Sequence, residues 1–238
     1  MTKRCNEILR EMRSLANPAD LDGMARFGID TSSALGLSVP TIRAIARRVG
    51  KDQELAEQLW DSGGREARIL ASMVADPGAI TRSTMDRWVR DFRSWDVCDA
   101  CCCDLFDRTP FVWQMIPKWA VAGAGAKREF VRRAAFSTLA AAAVHNKAAE
   151  DQRFLDGLVL IERYAFDDRN FVRKAVNWAL RNIGKRNAHL LPAAVACAER
   201  VRAQDSKAAR RIAADALREF RLKFGPATSN TIFSGESQ

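Results

Sequence analysis

No run of 18 apolar residues occurs in this chain of 238 residues, so no membrane-spanning helix is expected. The N-terminus, Met1-Thr2-Lys3-Arg4-Cys5-Asn6-Glu7, leads into a charged amphipathic stretch with no apolar h-region, which argues against a secretory leader. Alternating β-branched runs bounded by turn residues are missing too, so no sheet is expected. Histidine is scarce: His145 and His189 stand alone, without metal-site spacing, and read as surface or capping residues. No low-complexity segment or long linker divides the chain. Acidic residues are outnumbered, 29 against 38 Lys and Arg, for a net charge of +9. That excess favours an anionic partner, with DNA, RNA and membrane surfaces all fitting it.

What is present is helical periodicity and repetition. The stretch Arg128-Glu129-Phe130-Val131-Arg132-Arg133-Ala134-Ala135-Phe136-Ser137-Thr138-Leu139 aligns with Arg169-Asn170-Phe171-Val172-Arg173-Lys174-Ala175-Val176-Asn177-Trp178-Ala179-Leu180 at a shift of 41, with six of twelve positions identical. A fainter third copy, 37 residues further on, keeps Arg210-Arg211, Ala213 and Leu217. A period near 40 in a helix-rich chain is the signature of a HEAT-type solenoid. The expected fold is therefore all-α: a curved, HEAT-like helical-repeat solenoid with a basic concave groove. One repeat domain is expected over 1–224 and a flexible, small and polar tail over 225–238. Asn17-Pro18, Asp61-Ser62-Gly63-Gly64, Asp76-Pro77-Gly78, Thr109-Pro110 and Gly123-Ala124-Gly125 punctuate twelve or thirteen helices. Ser38 is a candidate N-cap with Pro40 in the first turn behind it.

Each copy carries a basic pair. Arg133 and Lys174 occupy equivalent positions, Arg173 precedes Lys174, and Arg211 belongs to the third copy. If these helices line one face, the cations form a ladder that can touch phosphates; otherwise they are solvated surface charge. A second segment, Ser94-Trp95-Asp96-Val97-Cys98-Asp99, places Trp95 and Asp99 four residues apart, on one helical face. By itself it reads as an interface Trp with a solvated or capping Asp; the alternative is an indole wall beside an anion, suited to a cationic ligand. Trp178 favours the alternative, because it stands where the preceding copy has Ser137 and so does not serve merely to fill a repeat core.

These residues carry a resemblance. Ser94-Trp95-Asp96-Val97-Cys98-Asp99, Ile116-Pro117-Lys118-Trp119, Arg133-Ala134-Ala135 and Lys174-Ala175-Val176-Asn177-Trp178-Ala179-Leu180-Arg181, with Met24-Ala25-Arg26-Phe27 and Leu35-Gly36-Leu37-Ser38-Val39-Pro40, make the chain similar to the AlkD family of HEAT-like alkylpurine DNA glycosylases from about residue 20 to 222. The resemblance implies hydrolysis of the N-glycosidic bond of N3- or N7-alkylated purines in duplex DNA. It implies Asp99 as catalytic carboxylate, Trp95 and Trp178 as the indoles flanking the lesion, and Arg133 as a backbone contact. It also implies a lesion left stacked in the duplex, and neither metal nor organic cofactor. The family often has Tyr where this chain has Phe27, a position that the resemblance assigns to DNA binding, so the hydroxyl and any hydrogen bond it made are lost there while ring packing can persist.

The cysteines admit a rival. Of six, Cys98, Cys101, Cys102 and Cys103 crowd together, as in a metal or redox site, yet no second ligand pair is visible. Close helix packing by reduced thiols in a cytoplasmic monomer is the simpler reading. A HEAT array can also be a protein scaffold, with Trp95 and Trp178 as partner anchors, or a nucleic-acid binder without catalysis.

Overall fold

The structure, a computed structural model, describes residues 1–125 and 128–225. Thirteen α-helices and two 3-10 turns account for most of this, and no strand occurs among the described residues. The tail expected over 225–238 lies outside them, apart from Gly225.

The chain divides into two compact units, Met1–Val112 and Trp113–Gln238, where the repeat argument expects one continuous domain. Repeat arrays contact mainly their neighbours, so they part readily into such segments.

The first unit holds α1 (Lys3–Ser14), α2 (Leu21–Arg26), α3 (Val39–Val49), α4 (Gln53–Asp61), α5 (Arg65–Val74), α6 (Arg82–Asp91) and α7 (Trp95–Asp104). Its helices begin where their caps dictate. The hydroxyl of Ser38 accepts from the Thr41 amide at 3.3 Å, with a proline in the first turn. Thr2, Asp52 and Thr81 cap α1, α4 and α6 in the same way, each satisfying an amide that has no partner within its helix. The helix α5 packs on α3, α4 and α7. Trp60 and Trp88 stack in the core, nearly parallel with centroids 4.1 Å apart. The indole of Trp60 donates to Asp91 at 2.8 Å, which removes the cost of burying its polar edge.

The helix α8 (Val112–Ala122) starts at the boundary and carries Pro117 inside it. The second unit continues with α9 (Glu129–His145), α10 (Asp151–Tyr164), α11 (Asn170–Arg186), α12 (Leu190–Arg202) and α13 (Lys207–Phe224). The repeat copies pack in series, α9 on α11 and α11 on α13, while α10 packs on α12. Equivalent residues meet directly: the rings of Phe130 and Phe171 lie 5.4 Å apart. Gly184 lets α13 come close, since a Cβ there would lie 2.5 Å from the Phe220 ring.

Candidate nucleic-acid interface

The helix α7 starts at Trp95 because Ser94 is extended and Asp96 places a carboxylate in the first turn, where the helix dipole favours it. The Ser94 hydroxyl accepts from the Asp30 amide at 3.2 Å instead of capping its own helix. Arg65, at the head of α5, is buried and reaches two carboxylates. Its Nε donates to Asp96 at 2.5 Å and its Nη1 to Glu66 at 2.8 Å. Glu66 in turn accepts from the amides of Leu35 and Gly36, at 2.9 and 3.2 Å. The start of α7 is thus bolted both to α5 and to the loop that follows α2.

On this support Trp95 and Asp99 stand four residues apart and half-exposed, an indole and a carboxylate sharing one accessible face. The Trp95 indole donates to the Phe27 carbonyl at 3.0 Å, fixing its edge. Phe27 ends α2 and stands 76% exposed. The first unit therefore brings together three of the candidate residues: Phe27, Trp95 and Asp99.

The second unit brings together another three. Arg173, Lys174 and Arg211 line a cleft of about 370 Å³ between α11 and α13, with Asn177, Asp215 and Arg218. Four cations there face one carboxylate. Asp215 is engaged by Asn177 at 2.6 Å and by Arg218. Trp178 follows Asn177 on α11, half-exposed and one turn beyond Lys174.

Arg133 differs from the expected cation ladder. It is only 5% exposed, it donates to the Phe171 carbonyl at 2.6 Å, and its guanidinium lies over the Phe171 ring at 5.8 Å. The reason is that α9 is buried all round, from Val131 to Ala143, instead of along one stripe. Lys174, its equivalent on α11, is exposed.

A model of the family described as DNA alkylation repair enzyme matches residues 8–220. The chain belongs to the DNA alkylation repair enzyme family. Among solved structures, it aligns with a protein from a family related to the HEAT-like repeat DNA glycosylases with affinity for branched DNA structures. The TM-score is 0.73 with 19% identity, over 90% of this chain and 94% of that one. At that identity the likeness establishes the fold alone, a HEAT-like helical repeat. No curated protein matches.

In this DNA alkylation repair family member Cys98, Cys101 and Cys102 sit behind the accessible face of α7, while Cys103 lies part-exposed one turn beyond Asp99. Cys98, Cys101 and Cys102 are fully buried. Burial raises the Cys101 thiol well above its ordinary value, with Cys102 and Asp104 adding to it, and burial likewise raises Cys103. Such thiols are poor nucleophiles and suit packing. Sequence reasoning missed Arg218 and Asn177 as cleft residues. The signal for Arg218 was its spacing: with Arg211 and Asp215 it falls at i, i+4 and i+7 on one face of α13.

Proposed function

We propose that the protein is a DNA glycosylase that hydrolyses the N-glycosidic bond of N3- or N7-alkylated purines in duplex DNA. The observation that carries this reading is the shared accessible face of Trp95 and Asp99 at the rigidly held start of α7. Membership of the alkylation repair family agrees with it.

The chemistry needs little more than these residue types. Alkylation makes the purine cationic and a good leaving group, so no general acid is required. As the C1′–N bond breaks, its electron pair goes to the base nitrogen and neutralises the base. Positive charge develops on the sugar, and the Asp99 carboxylate stabilises it. A water adds its oxygen to C1′, and Asp99 accepts the proton that the water gives up. The products are the free base and an abasic sugar. The indole of Trp95 offers an electron-rich face to a cationic nucleotide, the role that the sequence resemblance also gives Trp178. Arg173, Lys174 and Arg211 supply backbone contacts that are independent of sequence, and Arg133 supports that surface from beneath through Phe171. Duplex DNA carrying alkylated bases is the partner in this reading. The protein acts as a monomer in the cytoplasm, and the chemistry calls on no cofactor.

The test is base release from a duplex carrying one 7-methylguanine, with a metal chelator present and Asp99→Asn alongside. The wild type should release the base, and the variant should bind DNA normally yet excise at least about 100-fold more slowly. An equally active variant refutes the role of Asp99. A second reading, a non-catalytic binder of structured DNA, is favoured by the α11–α13 cleft, which needs no chemistry to work, and by the branched-DNA affinity of the structural neighbour's family. Salt-dependent binding without any base release would select it.

A further inference from the structure

The first unit carries a second basic cleft that lies outside the Trp95–Asp99 face and for which the proposed chemistry has no use. It occupies about 400 Å³ beside α3 and is lined by Arg43, Arg47, Lys51, Met73, Asp104 and Arg108. Four cations again face a single carboxylate. The cations are not equivalent. The Lys51 ammonium is committed to the end of α5, donating to the carbonyls of Met73 and Ala75 at 3.0 and 2.8 Å. Desolvation and the neighbouring Arg108 lower its pKa, so further positive charge is already crowded there. Arg43 reaches Asp104 only at 3.3 Å, and Arg108 touches the Asp104 carbonyl at 3.4 Å. Arg43, Arg47 and Arg108 are all exposed.

A helix that places two arginines four residues apart on one exposed face, with a third cation opposite, concentrates positive charge that the long contacts of Arg43 with Asp104 (3.3 Å) and Arg108 with Asp107 (3.9 Å) offset only in part. Intramolecular pairing explains only part of this cluster, and mutual repulsion disfavours it unless an anion is bound. Arg43 and Arg47 are separated by about 6 Å along the helix axis, while one DNA strand carries a phosphate about every 3.4 Å along its own axis. Two such steps come to about 6.8 Å, so the pair is spaced to follow the phosphate repeat of a strand better than to enclose one compact anion.

We propose that the Arg43–Arg47–Arg108 cleft is a second phosphodiester-binding site, a duplex-backbone anchor in the first unit that works alongside the α11–α13 cleft; this rests on the DNA-binding reading above. Both clefts grip the backbone, and neither reads sequence.

The experiment measures fluorescence anisotropy of an undamaged labelled duplex over a range of salt concentrations. It compares the wild type, Arg43→Gln/Arg47→Gln and Lys174→Gln/Arg211→Gln, each checked for an unchanged thermal transition. Removing two phosphate contacts should lower the slope of log affinity against log salt by about 1.8 and weaken binding about tenfold at moderate salt. Asp104→Asn should do the reverse and tighten binding. A wild-type slope in Arg43→Gln/Arg47→Gln, with the slope lowered only in Lys174→Gln/Arg211→Gln, overturns the second anchor and leaves the proposed function standing. A wild type that does not bind the duplex overturns both. If inorganic triphosphate protects this cleft while duplex DNA does not, it is a small-anion site and the backbone assignment is wrong.

Discussion

The helices α9 and α11 are copies of one sequence, yet their cations have opposite fates. On α9, Arg132 is buried, pairs with Asp167 at 2.5 Å, donates to the Ala120 carbonyl at 2.9 Å and lies over the Tyr164 ring at 4.4 Å. Arg133 beside it is spent on Phe171. On α11, Arg173 and Lys174 open onto a cleft. The difference lies in how far each helix is covered. The first copy, α9, is buried all round from Val131 to Ala143, and its charges must be paired to be tolerated. The middle copy, α11, packs on α9, α10, α12 and α13 yet keeps Lys174 exposed. Cations at the same repeat positions are buried and paired in one copy and open onto a cleft in the next.

The largest effect that would sharpen this contrast is expected from Asp167→Ala. It leaves the Arg132 charge buried without its carboxylate, and urea unfolding should show a loss of about 3–5 kcal/mol. The pH dependence has a definite sign. Burial pulls the Asp167 carboxyl upward, but hydrogen bonds from Arg169 and Arg132 outweigh it and hold its pKa below the ordinary value. A depressed native pKa means that the pair's contribution is complete well above the unfolded value of about 3.9 and is lost as pH falls through the native one. The gap between wild type and Asp167→Ala should therefore close in acid. A gap of constant size from pH 7 to pH 2 would mean that the pair does not carry the stability.

Arg133→Ala comes next. It removes a buried donor from the Phe171 carbonyl and should cost about 1–3 kcal/mol. Its salt slope for DNA binding should stay that of the wild type. A slope lowered by about 0.9 would show that Arg133 touches a phosphate after all and would erase the contrast with α11. The smallest effect on stability should come from Lys174→Ala, within about 0.5 kcal/mol, accompanied by the loss of about one phosphate's worth of salt slope. A large stability loss there would make α11 as structural as α9.

Much of this could be read from the chain. Helix number, the all-α class, the Ser38 cap and the repeats follow from local signals: apolar periodicity, turn residues and self-similarity. The pairing of Trp95 with Asp99 needed only helical geometry. The fate of each basic residue was less accessible. Whether an arginine is a clamp or a contact depends on groups about 35 to 40 residues away, such as Asp167 for Arg132 and the Phe171 carbonyl for Arg133. Period and composition carry no trace of those partners. The anchoring of α7 was hidden for the same reason, since Arg65, Glu66 and Asp96 look like ordinary surface charge until the fold brings them together.

That anchoring ties the mobility of an irregular segment to the core. Gly36 sits at a φ of +79°, and a Cβ there would fall 2.0 Å from the Asn17 carbonyl oxygen, so the loop is threaded through a gap that only glycine fits. Its amide and that of Leu35 donate to Glu66, which is fully buried and whose charge is paired with Arg65. Peeling the loop away would leave that buried carboxylate with Arg65 but without its two amide donors. The segment therefore cannot fray as surface loops do, and it opens only when the α5–α7 core opens with it.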